Sequence, residues 1–467
     1  MVIVTKFGGT SVDNGKTISR VIDIVRKDER RRIVVVSSPA GLTDTLLGVA
    51  NENYAKPDVP QETYRAQIKT VQKKFDDTLA HYKIESDFLD SLYAQLEKEL
   101  KARKNKSREE YQDAVAVFGE RINAKLIAEI MKVHGLKARF VRAEDMGMYT
   151  DSQFGNGTLN DLSPTLIRQY FEKVPENEIC VVTGYYGVDN LHRPVTFGRG
   201  GSNYVAAVIA SAVKAELLEN FSDQKGICRA NPKLIPEAGH DIISEMTFEE
   251  ARELVYSGAK ILHPMTIIPL ARAKVPIRVR STFDYDHIGT LIHSNVKNQR
   301  KGVKGIAEKS MYRIKLGKIG MNEIKGYIAR LSAIFNEVGI DIHLPSAGID
   351  SIAYTFTVPS SGNGKSFNVE KLKMLEERIK NDPLVSPDTC DVENVTVICV
   401  VGEGIQNIPG INADLQAALE NEKVIGFNHG PSGRNIIFMV APENAREAIV
   451  ALYKTVKKIN KTLDDGK

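Results

Sequence analysis

Near the start of the chain stands Lys6-Phe7-Gly8-Gly9-Thr10-Ser11, between an apolar run, Val2 to Thr5, and a segment with helical spacing of apolar residues, Ile18 to Val25. A second β-branched run, Ile33 to Val36, follows, and these segments predict a βαβ unit at the start of a parallel sheet. The paired glycines let backbone N–H groups approach a phosphate, and Lys6 can place a full charge on a transferring phosphoryl group. The stretch is equally compatible with a tight strand-to-helix turn beside a solvated lysine.

Two further loops have a similar composition. Ser37-Ser38-Pro39-Ala40-Gly41-Leu42-Thr43 follows the second strand, so it should open at the same carboxyl edge of the sheet as the first loop. Its alternative interpretation is a turn with Thr43 as a helix N-cap. Gly198-Arg199-Gly200-Gly201-Ser202-Asn203 precedes an apolar helix, where the arginine can offer two parallel hydrogen bonds to a carboxylate. A flexible hairpin with an exposed arginine is the alternative there.

The chain divides by pattern into a large α/β part and a repeated part. Residues 1–295 alternate strand and helix patterns, with a lobe of polar helices at about 61–117. A linker and a short strand, Val303 to Glu308, are expected within 296–309. Residues 310–390 and 391–467 then predict two tandem copies of a small α+β sandwich.

Composition excludes several classes of function. The 467 residues include 63 Lys and Arg against 59 Asp and Glu, a net charge of +4 that provides no broad basic face for nucleic acid. No apolar run approaches the roughly 20 residues needed to span a bilayer, and the start lacks a secretory signal pattern, so a cytoplasmic protein is expected. The four cysteines form no C-x-x-C pair and the nine histidines have no metal-ligand spacing, so no protein-held metal is expected.

The ordered motifs resemble those of aspartate kinases over most of the chain. The opening Lys6 to Val12 stretch is similar to the signature of that family, as are Phe118-Gly119-Glu120, the Gly198 to Ser202 element and the Ser257 to Pro264 segment. The resemblance implies an amino-acid-kinase αβα sandwich with a mainly parallel sheet, followed by two ferredoxin-like ACT domains. It also implies the reaction of ATP, with Mg²⁺, and L-aspartate to give 4-phospho-L-aspartate, the first step towards lysine, threonine and methionine.

By resemblance, roles pass to particular residues of this chain. Lys6 would stabilise the transferring phosphoryl group, and Asn203 occupies a catalytic position. Arg199 would hold the α-carboxylate of aspartate and Glu120 would face its ammonium group. The full substrate set is Ser37, Thr43, Glu120, Tyr185, Arg199 and Ser202, and the nucleotide set is Lys6, Gly8, Gly9, Ser222, Asp223, Cys228, Lys233 and Lys260.

The sequence departs from the family pattern at several of these positions. Asn203 stands where members usually have Asp, and it can form hydrogen bonds but cannot supply charge. Cys228 replaces a common Tyr, and Lys233 replaces an Arg, which weakens an aromatic contact and a bidentate fork. In the first ACT copy, His343 stands where lysine-inhibited relatives have Asp.

The ACT copies imply an amino-acid effector, lysine or threonine, and a homodimer or homotetramer. The expected effector residues lie at and before a phrase, Pro345 to Ser351, that is similar to one in some family members; they are Met321, Tyr327, Ile342, His343, Ser346, Gly348 and Asp350. Two alternatives remain open: a kinase for another amino acid or carboxylate, and an amino-acid sensor of weak catalytic activity.

Overall fold

A computed structural model describes residues 1–259, 262–294, 302–358 and 365–465. Within these residues the chain forms two compact units. The first comprises 1–229, 238–256 and 262–294, and the second comprises 230–237, 257–259, 302–358 and 365–465. No helix of the described residues is both long and apolar enough to cross a bilayer.

The first unit alternates strands and helices. Its strands are β1 (Ile3–Phe7), β2 (Arg31–Val36), β3 (Ala138–Val141), β4 (Ile179–Thr183), β5 (Tyr186–Val188), β6 (Pro194–Thr196), β7 (Leu217–Ser222), β8 (Glu245–Met246), β9 (Ile277–Ser281) and β10 (Thr290–Ile292). Its helices are α1 (Gly15–Arg26), α2 (Leu42–Ala55), α3 (Gln61–Tyr82), α4 (Asp90–Lys101), α5 (Arg108–Ala116), α6 (Phe118–Val133), α7 (Ser163–Glu172), α8 (Gly201–Ala212), α9 (Phe248–Tyr256) and α10 (Pro264–Ala273).

The main sheet of this unit has the strand order β3-β4-β2-β1-β7-β9-β10-β8. All neighbours are parallel except β9 and β10. Every residue of β1 is buried, as expected for a parallel strand covered by helices on both faces. The predicted α/β class with a mainly parallel sheet is therefore confirmed.

The predicted helical lobe comprises α3, α4 and α5. In α3 the buried side chains recur at helical spacing, from Tyr64 through Ile68, Val71 and Phe75 to Leu79, so one face packs inward while the rest meets water. The lobe is joined to α1 by Tyr82, whose hydroxyl donates to the carbonyl oxygen of Gly15 at 2.8 Å.

The second unit is built around one antiparallel sheet of order β12-β13-β11-β14-β16-β15. Its elements are β11 (Gly305–Gly317), α11 (Tyr327–Val338), β12 (Ile342–Ala347), β13 (Ser351–Phe356), α12 (Lys365–Asn381), β14 (Thr389–Val401), α13 (Ile411–Ala417), β15 (Val424–His429), β16 (Asn435–Val440) and α14 (Ala445–Asp465). The two predicted α+β repeats thus share a sheet.

One strand differs from its prediction. The short strand expected at Val303 to Glu308 begins at Gly305 and continues to Gly317, and it pairs with β14 at every position. The continuous pairing explains the length, because no glycine or proline interrupts the strand between Ile306 and Leu316. The repeat limits drawn at 309/310 and 390/391 consequently fall inside β11 and β14.

Candidate active site

Backbone hydrogen bonds bring the loops after β1, β2 and β4 to one edge of the main sheet, beside the end of β7. Beyond β1, the amide of Gly8 donates to the carbonyl of Phe221 on β7 at 3.1 Å. The amide of Ser37, after β2, donates to Phe7 at 3.2 Å, and that of Gly184, after β4, donates to Val36 at 3.0 Å. This is the carboxyl edge at which open α/β sheets bind their ligands.

A cavity of about 360 Å³ lies at this edge. Its lining includes both predicted catalytic residues and the whole predicted substrate set: Lys6, Ser37, Thr43, Glu120, Tyr185, Arg199, Ser202 and Asn203. A larger cavity, about 590 Å³, is lined by other residues, among them Arg32 and Cys180. We place the candidate site in the smaller cavity because it lies at the carboxyl edge of the sheet and its lining combines Lys6 and Arg199 with the carboxylates of Glu120 and Asp44.

Lys6 and Glu120 are both buried in this site, with exposed fractions of 8% and 2%. Burial lowers the pKa of Lys6 to about 8, although the charge of Glu120 opposes the shift. Burial likewise raises the pKa of Glu120 to about 8, against the hydrogen bond from the Ser38 amide and the charge of Lys6. The cavity therefore holds two groups that charged ligands would help to ionise.

Three buried polar atoms in this region have no hydrogen-bond partner among the described residues: Glu120 Oε2, Ser38 Oγ and Asn203 Oδ1. The other carboxylate oxygen, Glu120 Oε1, accepts from the Ser38 amide at 3.0 Å, which fixes the carboxyl group. Buried oxygens without partners are costly, so a ligand with hydrogen-bond donors would relieve that cost. An ammonium group is a suitable donor of this kind.

Arg199 lies just before the start of α8, on a loop whose glycines have left-handed backbone angles. Gly198 has φ of 67° and Gly200 has φ of 81°, which glycine adopts at low cost. The Arg199 side chain is exposed, and no hydrogen bond or ion pair within the described residues involves it. Its guanidinium group is available for an anionic ligand.

Close backbone approaches hold the loops around the cavity. A Cβ on Gly119 would lie 2.3 Å from Ser38 Oγ, and one on Gly9 would lie 2.8 Å from the Ser38 carbonyl oxygen. A Cβ on Gly184 would lie 2.6 Å from the Ser202 Cβ. Glycine at these positions lets α6, the first loop and the loop after β4 pack directly on their neighbours.

Gly119→Ala is expected to lower the free energy of unfolding by about 1–3 kcal/mol, because the added methyl overpacks the contact with Ser38. Gly48→Ala, inside α2 with no heavy atom of the described residues within 4 Å, is the matched control and should stabilise by about 0.5–1 kcal/mol. Urea denaturation measures both variants. Equal stability of the two would contradict the close packing inferred here.

The predicted nucleotide residues do not line this cavity as a set. Lys6 does, and Gly8 lies beside it, since a Cβ there would be 3.5 Å from Lys6 Nζ. Ser222 ends β7, next to β1, and Asp223 follows it. Cys228 is half-buried, and burial raises the pKa of its thiol.

The two remaining residues of the predicted nucleotide set are Lys233 and Lys260. Lys233 is exposed and lies in a segment that belongs to the second compact unit. Lys260 lies outside the described residues. The roles of the nucleotide set stay predictions.

Six lining residues are not among the predicted site residues: Ser38, Asp44, Leu47 and the three glycines beside Arg199, namely Gly198, Gly200 and Gly201. Leu47 stands four positions after Thr43 and three after Asp44 in α2, so helical spacing places it beside both residues. Ser38 was part of the predicted loop.

In the second unit, the predicted effector residues form two groups. Met321 and Tyr327 are buried around the start of α11. The others lie in β12 and in the turn that leads to β13. Ile342 and His343 are half-buried, and Ser346, Gly348 and Asp350 are exposed. Asp350 joins the groups, because its Oδ1 accepts from the Gly320 amide at 2.9 Å. His343 Nε2 lies 2.9 Å from Thr357 Oγ1, and burial lowers its pKa.

Comparison with known proteins identifies the family to which the chain belongs. Residues 1–281 match the amino acid kinase family, and residues 398–456 match an ACT domain. Because the first match covers more than half of its length, the chain belongs to the amino acid kinase family. It is 29% identical over 462 residues to Aspartokinase 3 of Bacillus subtilis, covering 97% of this chain and 98% of that protein.

Two further relatives agree. Lysine-sensitive aspartokinase 3 of Escherichia coli is 26% identical over 466 residues, covering 97% of this chain and 99% of its own. The crystal structure of E. coli aspartokinase III in complex with aspartate and ADP has the same fold, with a TM-score of 0.81 at 23% identity, covering 98% and 100% of the two chains. The resemblance to aspartate kinases is therefore confirmed.

Proposed function

We propose that the protein is an aspartate kinase, which transfers the γ-phosphoryl group of ATP to the β-carboxylate of L-aspartate and releases ADP. The observation that carries this proposal is the single cavity lined by Lys6 from β1, Glu120 from α6 and Arg199 from the loop before α8. Aspartate has two carboxylates and one ammonium group. A site with two separate cations and a carboxylate is complementary to it.

The proposed chemistry rests on positioning and electrostatics. Arg199 binds the α-carboxylate and the unpartnered oxygen of Glu120 accepts from the ammonium group, which directs the β-carboxylate towards ATP. A β-carboxylate oxygen forms the new bond to the γ-phosphorus as the bond to the β,γ-bridging oxygen breaks. Lys6 stabilises the charge of the phosphoryl group in transit, and no proton transfer is needed.

Mg²⁺ is proposed to arrive with ATP, since the triphosphate supplies the oxygen ligands that this ion prefers. Among the described residues, no group of three or more His, Cys, Asp or Glu side chains is placed to hold a metal. The nucleotide itself is proposed to extend from Lys6, Gly8 and Gly9 towards Ser222 and Asp223, with Cys228, Lys233 and Lys260 further along.

The second unit is proposed to bind an amino-acid effector. The lysine sensitivity named for the E. coli relative supports lysine, while His343 in place of Asp leaves threonine open. Assembly as a homodimer or homotetramer through the ACT copies, and a cytoplasmic location, are part of the proposal. Its domains are a catalytic domain, 1–295, a connecting segment, 296–309, and ACT copies at 310–390 and 391–467.

Trapping with hydroxylamine tests the proposed reaction, because acyl phosphates form coloured hydroxamates. Purified protein with ATP, Mg²⁺ and L-aspartate should yield aspartyl hydroxamate and equimolar ADP. Parallel reactions with glutamate, succinate and carbamate supply the comparison. Hydroxamate from another acid alone would favour a different kinase, and ATP binding without any product would favour a sensor.

Asn203→Asp is expected to raise kcat/KM for aspartate several-fold. Asn203 Oδ1 is buried without a partner among the described residues, and a carboxylate there would add charge for the substrate ammonium group. Steady-state kinetics with aspartate measure the effect, with Asn156→Asp on an exposed turn as the control. A lower activity would mean that the neutral side chain is adapted to the substrate, which favours the kinase for another acid.

A further inference from the structure

A buried carboxylate outside the cavity is connected to it by hydrogen bonds. Asp113 lies on α5 of the helical lobe and is 3% exposed. Its Oδ2 accepts from the amides of Gly155 at 2.7 Å and Thr196 at 2.8 Å, and its Oδ1 accepts from Thr196 Oγ1 at 2.7 Å. Three short hydrogen bonds, all accepted by one carboxylate, thus hold a loop and the end of β6 against the lobe.

The two partners of Asp113, Gly155 and Thr196, both contact segments that line the cavity. Thr196 directly precedes Phe197, whose amide donates at 3.0 Å to the carbonyl oxygen of Tyr185, a cavity-lining residue with a left-handed φ of 77°. The amide of Gly157, two residues after Gly155, donates to the carbonyl oxygen of Thr196 at 2.9 Å, so the two partners of Asp113 are also joined to each other.

The second connection concerns the loop that carries Arg199. Thr196 stands three residues before Arg199, and the amide of Phe197 donates to the Tyr185 carbonyl at 3.0 Å. Gly155 packs on the same loop, since a Cβ on Gly198 would lie 2.9 Å from the Gly155 carbonyl oxygen. A shift of Gly155 or Thr196 would consequently move Tyr185 and Arg199 together.

We infer that Asp113 is a positioning residue for the amino-acid substrate, acting through Thr196 and Gly155 on Tyr185 and the Arg199 loop. It lies outside the cavity lining and so acts only through these residues. The helical lobe then contributes to substrate binding, because its residue Asp113 holds the loop that carries Arg199 in position. The expected change in KM for aspartate rests on the proposed function. The expected loosening of the Arg199 loop does not depend on it.

Asp113→Ala is expected to raise the KM for aspartate at least 20-fold, with the KM for ATP changed less than 3-fold. Asp113→Asn keeps an oxygen for both backbone amides and should recover most of the loss. Thr196→Val keeps the β-branched shape and the amide but removes the hydroxyl. It should raise the KM for aspartate about 5-fold, because one of the three bonds that hold Thr196 and Gly155 is lost.

Asp189 provides the matched control. It is 1% exposed, lies in the turn between β5 and β6, and accepts from Ser152 Oγ at 3.0 Å and from the amides of Leu191 and Arg193 at 2.9 Å each. Asp189 also accepts from the Arg193 guanidinium, so Asp189→Ala removes five hydrogen bonds against three for Asp113, from the same hairpin but without a contact to Thr196 or Gly155. Its KM for aspartate should stay within 3-fold of the wild type.

Hydrogen–deuterium exchange of the ligand-free protein supplies a readout independent of activity. Peptides that cover residues 197–203 should exchange at least 10-fold faster in Asp113→Ala and at the wild-type rate in Asp189→Ala. Equal exchange and equal KM in the two alanine variants would overturn the inference, as would a loss in kcat alone. If the wild type forms no hydroxamate, the proposed function fails, while the exchange data still decide the role of Asp113.

Discussion

Lys6→Ala is expected to lower kcat by about 100- to 1000-fold, with the KM for aspartate within 3-fold of the wild type. Lys6 is the next-to-last residue of β1 and lines the cavity, and it is only 8% exposed, with its ammonium group beside Gly8. A buried cation that meets charge developing on the phosphoryl group acts mainly in the transition state. Its removal therefore reduces turnover rather than amino-acid binding.

The pH dependence of the wild-type kcat/KM provides a second test of the role of the Lys6 charge. Burial lowers the pKa of this lysine to about 8, so the free enzyme loses the required positive charge as the pH rises through about 8. The kcat/KM for ATP should fall on that alkaline side, and the fall should be absent from Lys6→Ala. Lys16→Ala, on the exposed side of α1, is the control and should keep the wild-type profile.

A large loss of aspartate affinity with normal turnover in Lys6→Ala would contradict the role given to this residue. The lysine would then hold the amino acid rather than the phosphoryl group, and the orientation of the two substrates in the cavity would be reversed.

Arg199→Ala is expected to raise the KM for aspartate about 10- to 150-fold with a smaller change in kcat. The loss of a charge-assisted hydrogen bond is worth roughly 1.5–3 kcal/mol, and each 1.4 kcal/mol corresponds to a factor of ten. The KM for aspartate of Arg199→Lys should lie between those of the wild type and Arg199→Ala. An ammonium group keeps the charge but lacks the planar guanidinium that forms two parallel hydrogen bonds to a carboxylate. Steady-state kinetics at saturating ATP measure the effect.

Arg168→Ala on α7 is the control for Arg199. Arg168 is exposed and lines the larger cavity rather than the candidate site, so its removal should leave both kinetic constants unchanged. An unchanged KM for aspartate in Arg199→Ala would show that the α-carboxylate binds elsewhere.

Much of the fold was predictable because its signals are local. The apolar runs of β1 and β2 and the helical spacing of α1 each lie within a few consecutive residues. Once the strands are parallel, their carboxyl ends must share an edge, so the convergence of the Lys6 loop and the loop after β2 followed from topology alone. The order of strands in the sheet, by contrast, depends on pairings between distant segments.

The features that sequence reasoning missed depend on such distant contacts. Asp113 stands in a polar helix of ordinary composition, and its partner Thr196 is 83 residues further along the chain. The 13-residue length of β11 is set by pairing with β14, which no local pattern reports. The burial that shifts the pKa of Lys6 and Glu120 is likewise a property of the packed loops rather than of either motif.

The most direct test of the account is a crystal structure of the protein with L-aspartate and a non-hydrolysable ATP analogue. We expect the α-carboxylate on Arg199, the ammonium group on Glu120, and a β-carboxylate oxygen in line with the γ-phosphorus at about 3–3.5 Å, with Lys6 on the γ-phosphate. Aspartate bound outside this cavity, or with its α-carboxylate directed at the nucleotide, would contradict the account.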